Sequence, residues 1–135
     1  MNAKVFLDTN IWIYLYSEDT KSPVAEQLIH RYFENIVVST QVLGECFTVL
    51  TRKKFKTGEE SKEIIRDIAS AYTVADIGKF SVLKAVDIYL RYRYSYYDSL
   101  IIASALENNC AVLYTEDMSY NQLIENKIRI INPFV

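Results

Sequence analysis

Glycine and proline are scarce in this sequence, three and two among 135 residues. So few chain-bending residues exclude a collagen-like or low-complexity chain, and they leave little room for a glycine-rich phosphate loop. There is one histidine, His30, and there are two cysteines, Cys46 and Cys110. A lone imidazole excludes a histidine-rich metal site and leaves a His-based triad without company; His30 reads as structural or exposed. The cysteines have no CxxC or zinc-type spacing. They sit inside apolar segments and read as buried thiols. No apolar run approaches the roughly 20 residues that a membrane span needs. The first ten residues lack the basic-then-apolar order of a secretory signal, so the expected location is cytoplasmic. Positive charge is not in excess: 15 Lys and Arg stand against 17 Asp and Glu, for a net charge of -2. A broad basic coat for non-specific nucleic-acid binding is thereby excluded, while local basic patches are not.

Half of the residues are apolar and 13% are aromatic. A chain of this length buries one core without staples, so residues 1–135 read as a single domain. Short apolar runs alternate with helical patterns. Lys4-Val5-Phe6-Leu7, Ile36-Val37-Val38, Ala111-Val112-Leu113-Tyr114 and Arg129-Ile130-Ile131 read as strands, with Tyr72-Thr73-Val74 as a weaker candidate. Helices are expected over Ile11 to Tyr16, from Ser22 to about Asn35, after Ser39 to Arg52, and after a Thr57–Glu60 capping box. Phe80, Leu83, Val86 and Leu90 mark a further helix, Asp98-Ser99 opens another, and Tyr120 to Ile124 reads as a short one. The polar stretch from Lys53 to Glu63 is expected to protrude between two helices. Continuous apolar strands separated by helices indicate an α/β fold, three-layered, with a mostly parallel sheet of about five strands.

In such sheets ligands bind beyond the carboxyl ends of the strands. The first strand ends at Asp8 and the strand before Thr115-Glu116-Asp117 ends on the same rim. Asp98 begins a helix that leads into that later strand. Glu45 flanks the apolar face of the helix after the second strand and can point toward the sheet edge. Each acid also has a purely structural use: Asp8 in an Asx turn, Asp98 and Asp117 as helix caps, Glu45 as a solvated helix residue. Four carboxylates in one cleft repel one another unless a cation is present. Oxygen-only ligands suit Mg2+ or Mn2+ rather than zinc, copper or iron. Such an ion orients and acidifies a water and neutralises charge on a phosphate, which suggests phosphodiester hydrolysis.

Four blocks carry a resemblance. They are Val5-Phe6-Leu7-Asp8-Thr9-Asn10, Ser39-Thr40-Gln41-Val42-Leu43-Gly44-Glu45, Tyr96-Tyr97-Asp98-Ser99-Leu100-Ile101-Ile102-Ala103-Ser104-Ala105 and Leu113-Tyr114-Thr115-Glu116-Asp117-Met118. In this order, and with the closing Ile131-Asn132-Pro133-Phe134, the chain resembles the PIN-domain family, and within it the VapC-like toxins of toxin–antitoxin pairs. The resemblance implies a PIN-like fold and an Mg2+- or Mn2+-dependent endoribonuclease. It implies Asp8, Glu45 and Asp98 as the main metal-site acids and Asp117 as a fourth whose role varies. Asn10 and Thr115 match supporting polar positions. Glu116 competes with Asp117, and its side chain is expected to point elsewhere. The resemblance further implies a homodimer silenced by a small antitoxin.

Candidate RNA contacts are Arg52 and Lys53 at a helix end, and Arg91 and Arg93 in the basic, aromatic stretch before Asp98. The same tyrosines serve equally well as core or interface residues. Trp12 and Tyr16, one turn apart, are expected to face a neighbouring subunit. Competing readings are a PIN-like RNA-processing or DNA-directed nuclease without a toxin role, a non-catalytic binding module, and a phosphoacceptor domain. The last lacks a suitable lysine and an acid at the end of the third strand.

Overall fold

The computed structural model describes residues 3–52 and 55–135. Strand β1 (Lys4–Leu7) is followed by α1 (Thr9–Leu15), α2 (Ser22–Arg31) and a 3-10 turn at Phe33–Asn35. Then come β2 (Ile36–Ser39), α3 (Thr40–Arg52), α4 (Gly58–Ala71), β3 (Thr73–Ala75), α5 (Lys79–Tyr92) and α6 (Tyr96–Glu107). The chain closes with β4 (Cys110–Tyr114), β5 (Leu123–Ile124) and β6 (Ile128–Ile131). The sheet has six strands in the order β3-β2-β1-β4-β6-β5, all parallel except the β5–β6 pair. The chain builds outward from β1 on one side and, after α6, from β4 on the other. The topological switch point therefore lies between β1 and β4.

Burial explains the strand composition. Val5, Phe6, Leu7, Ile36, Val37, Val38 and Leu113 are almost wholly buried, as strands covered on both faces require. Helix α1 packs against both α2 and α3, α3 against α4, and α5 on α6, completing an α/β/α sandwich. Helix α6 is buried continuously from Ser99 to Ala105, and Ala85 and Ala103 let α5 approach it closely. Cys46 and Cys110 are free and buried, and burial pushes the Cys110 thiol up to about 12.

Several expectations are met closely. The Thr57–Glu60 capping box forms in both directions, at 3.1 and 2.9 Å. The Ser39 hydroxyl accepts from the Val42 amide at 3.3 Å and so secures the start of α3. Others are corrected. The sheet gains a sixth strand because residues 120–124 are not helical. Asn121 takes a left-handed φ of 66°, and Leu123–Ile124 pairs with β6 instead. Glu125 and Asn126 (φ 52° and 56°) then turn the hairpin, and the Lys127 amide closes it on the Ile124 carbonyl at 2.9 Å. Helix α2 stops at Arg31, so Val24 and Phe33 project outward while Ala25, Leu28 and Ile29 face the core.

Trp12 does not face a neighbour. It is 1% exposed, donates from its indole to the Leu7 carbonyl at 3.2 Å and packs its ring against Tyr72. On α5 the opposite error occurs. Phe80, Leu83, Val86 and Leu90 do mark the helix, but Ser81, Ala85 and Ile88 make its buried face and the larger residues project outward. Of the polar stretch between α3 and α4, Lys53 and Lys54 lie outside the described residues, and Ser61 is buried in the first turns of α4.

Candidate active site

Asp8 follows the last residue of β1, and Thr115 follows the last residue of β4. The two strands are in register, with Leu7 opposite Tyr114, so these positions are neighbours on one rim. The Asp8 amide donates to the Tyr114 carbonyl at 3.0 Å and ties the turn to the sheet. The Asp8 carboxylate caps α1. Oδ1 accepts from the Thr9 amide at 2.7 Å, and Oδ2 accepts from the Thr115 hydroxyl at 2.8 Å.

The remaining acids arrive from three directions. Glu45 reaches over from α3, and its Oε1 accepts from the Thr9 hydroxyl at 2.7 Å. Gln41, one turn earlier on α3, donates to Glu45 Oε2 at 3.3 Å and to the Tyr97 carbonyl at 3.1 Å, beside Asp98. Asp98 is the third residue of α6; its amide is capped by the Ser95 hydroxyl at 3.1 Å. Asp117 Oδ2 accepts from Asn10 Nδ2 at 2.8 Å, and its amide donates to the Thr115 hydroxyl at 3.2 Å. Asn10 and Thr115 therefore lie beside the acids, bonded to Asp117 and Asp8 respectively. Thr9 and Gln41 were not singled out by the sequence reading, although both lie inside the quoted blocks. The available signals were the position of Thr9 in the turn and the spacing of Gln41 at i-4 from Glu45.

Glu116 points elsewhere, as expected. It accepts from Lys21 Nζ and from the Tyr14 hydroxyl, and Lys21 also sits over the Tyr14 and Phe134 rings. This clasp fixes the β4 loop next to Asp117.

The acids share one electrostatic neighbourhood. Burial raises Asp8 from 3.8 to about 6; hydrogen bonds from Thr115 and Thr9 oppose the rise, and the charges of Glu45 and Asp98 add to it. Asp98 is raised as well, first by burial, then by the charges of Asp117 and Glu45, with the Ser95 hydroxyl opposing. Asp8 and Asp98 are thus penalised by burial and by neighbouring charge, a penalty that a hard cation relieves. Among the described residues, no group of three or more His, Cys, Asp or Glu side chains is drawn in tightly enough to enclose a metal ion as it stands. The donor set nevertheless fits a hard divalent ion: every donor is oxygen. Two buried acceptor atoms in the same web, Asn10 Oδ1 and Gln41 Oε1, have no hydrogen-bond partner.

The candidate RNA-contact residues are dispersed. Arg52 lines a groove along α3 together with Glu45 and Tyr97. Lys53 lies outside the described residues. The Arg91 guanidinium is bound to Glu125 at 2.6 Å, and Arg93 lines a separate surface cavity with Tyr89 and Leu90. Of the tyrosines in that stretch, Tyr92 is tied to Glu125 and Tyr94 to Gln122, Tyr96 packs on the α5–α6 contact, and Tyr97 is 65% exposed. His30 is exposed on α2. Among the described residues no helix is long and apolar enough to cross a membrane.

Comparison with solved structures finds this fold in several toxin–antitoxin proteins. A toxin–antitoxin complex from Klebsiella pneumoniae is 19% identical, with a TM-score of 0.75, over 96% of this chain and 98% of that one. VapC20 of Mycobacterium tuberculosis, a Sarcin-Ricin loop cleaving toxin, is 22% identical with a TM-score of 0.71, over 84% and 90%. DNA-bound VapBC from Salmonella typhimurium is 21% identical with a TM-score of 0.68, over 96% and 97%. At these identities the likeness is one of fold. No curated protein matches the chain. The family model for the PIN domain matches residues 5–124, from the first strand through β5 and across all four acids. This chain belongs to the PIN domain family.

Proposed function

We propose that the protein is a divalent-metal-dependent endoribonuclease and the toxin of a toxin–antitoxin pair, with Mg2+ as its ion and Mn2+ as a substitute. The observation that carries this reading is the meeting of Asp8, Glu45, Asp98 and Asp117 at the β1–β4 switch point. Their donors are all oxygen, and burial first and neighbouring charge second raise Asp8 and Asp98 above their ordinary pKa. The family membership supports nuclease chemistry. The structural likeness to VapC20 and to toxin–antitoxin complexes supports the toxin role and a protein partner.

In this reading Asp8, Glu45 and Asp98 hold the ion, with Asp117 at the margin. When bound, the ion supplies charge neutralisation at the scissile phosphate and acidifies a water. The protein's own groups do the positioning. Thr9 holds Glu45, Thr115 holds Asp8, Gln41 ties Glu45 to the backbone beside Asp98, and Asn10 orients Asp117. A carboxylate of the cluster takes up the proton of the attacking water. Cleavage by water leaves a 5'-phosphate and a 3'-hydroxyl.

The outward apolar residues of α5, including Leu83 and Leu90, supply the face on which a second copy of the chain packs. The test is cleavage of a panel of structured RNAs by antitoxin-free protein in Mg2+, Mn2+ or EDTA, beside Asp8→Asn and Asp98→Asn. Metal-dependent cutting that falls about a hundred-fold or more in both variants supports the reading. Cutting that persists in both, or in EDTA, refutes it.

A further inference from the structure

Gly44 stands in the middle of α3, where glycine is the poorest helix former after proline. Nothing in the protein requires it. Its φ is not positive, and an added Cβ would meet no atom within 4 Å. The space above it belongs to a groove along α3 of about 600 Å³, lined also by Gln41, Glu45, Thr48, Arg52 and Tyr97. Gln41, Gly44, Glu45, Thr48 and Arg52 fall at helical spacing, so one stripe of α3 forms this wall, while Val42, Cys46 and Leu50 take the buried side. Between the acid at one end and the cation at the other, the lining is small, neutral and hydroxyl-bearing. The single large side chain is the exposed ring of Tyr97, whose carbonyl Gln41 holds.

We propose that this groove binds the unpaired nucleotide next to the scissile phosphate, with its base stacked on Tyr97 over Gly44 and the following phosphate on Arg52. The proposal rests on the ribonuclease reading above and extends it to how the strand is held. The chemistry around the groove suits a nucleic-acid strand, with Tyr97 at the acid end, where Gln41 holds its carbonyl, and Arg52 at the other. The acid site takes one phosphate through its ion, an aromatic face takes a base, and a guanidinium takes the next phosphate. Arg52 lies seven residues beyond Glu45, about 10 Å along the helix, so the two phosphate positions are separated by roughly the length of the groove. A strand crossing there passes directly over the α3 backbone, which is the close approach that glycine permits and a larger residue blocks.

The test uses the full chain carrying Asp8→Asn, in Mg2+, with a fluorescent single-stranded RNA that the parent protein cuts. Gly44→Leu and Tyr97→Ala are expected to weaken binding about ten-fold or more, and Tyr97→Phe to restore it. In the cutting-competent background the same changes raise KM more than they lower kcat. Gly44→Ala reports on the helix itself and is expected to raise Tm. If Gly44→Leu and Tyr97→Ala fold, cut and bind as the parent does, the groove proposal is overturned while the ribonuclease reading stands. If they leave RNA binding unchanged and weaken capture of a co-expressed antitoxin, the groove is a protein-docking site and the proposal is likewise overturned. A parent protein that cuts and binds no RNA overturns both.

Discussion

Replacing Asp8 with asparagine is expected to stabilise the metal-free protein, because the native carboxylate is ionised at a cost. Its pKa in the fold is about 6 against an ordinary 3.8. For an acid shifted upward, the folded state binds more protons than the unfolded state between these values. Stability is therefore greatest below pH 4, falls as the pH rises through 4 to 6, and levels off above that. Two units correspond to about 3 kcal/mol at pH 8. Asparagine keeps the shape and one acceptor for the Thr9 amide, but its NH2 faces the Thr115 hydroxyl, which now donates to Asp8. Reversing that bond costs about 1 kcal/mol. The net gain is about 2 kcal/mol, or a rise in Tm of roughly 6 °C for a domain of this size. Thermal unfolding of both proteins in EDTA at pH 8 and pH 4 measures it. The gap should close at pH 4, and Mg2+ at pH 8 should raise the parent's Tm more than the variant's. A variant no more stable than the parent at pH 8, or a gap indifferent to pH, would refute the idea that burial and neighbouring charge strain this acid.

Two further outcomes test the scaffold. Leu83→Glu puts a charge in the outward apolar face of α5 and is expected to convert a dimer to a monomer in light scattering, with the circular dichroism of the fold retained. Thr57→Ala removes the cap of α4 and its reciprocal bond with Glu60; a loss of about 1 kcal/mol, roughly 3 °C in Tm, is expected by calorimetry.

The layers, the parallel sheet and its central strands were legible because continuous apolar runs such as Val5-Phe6-Leu7 have no other use in a chain this short. Capping chemistry was legible for the same local reason: Thr57 and Glu60 need only each other. Failures arose where the deciding partner lay far along the chain. The β5 segment pairs with β6 through left-handed turns at Asn121, Glu125 and Asn126, none of them glycine, so the usual punctuation was missing. Periodicity found α5 without revealing which face is covered, since Ala85 and Ser81 are too small to dominate a hydrophobic pattern yet line its contact with α6. The strand-end pattern put Asp8 and Asp117 on one rim, and Asp98 and Glu45 were argued toward it from the helices that carry them. Their tethers, Thr9 to Glu45 and Asn10 to Asp117, span 36 and 107 residues and belong to the tertiary structure alone.

The two strands that lead into Asp8 and Thr115 are the central pair of the sheet, β1 between β2 and β4, and β4 between β1 and β6. Amide protons there are expected to exchange last, with the global unfolding of the domain. Fraying of the β5 hairpin or of α2 therefore leaves the β1–β4 rim, and the placing of Asp8 upon it, intact.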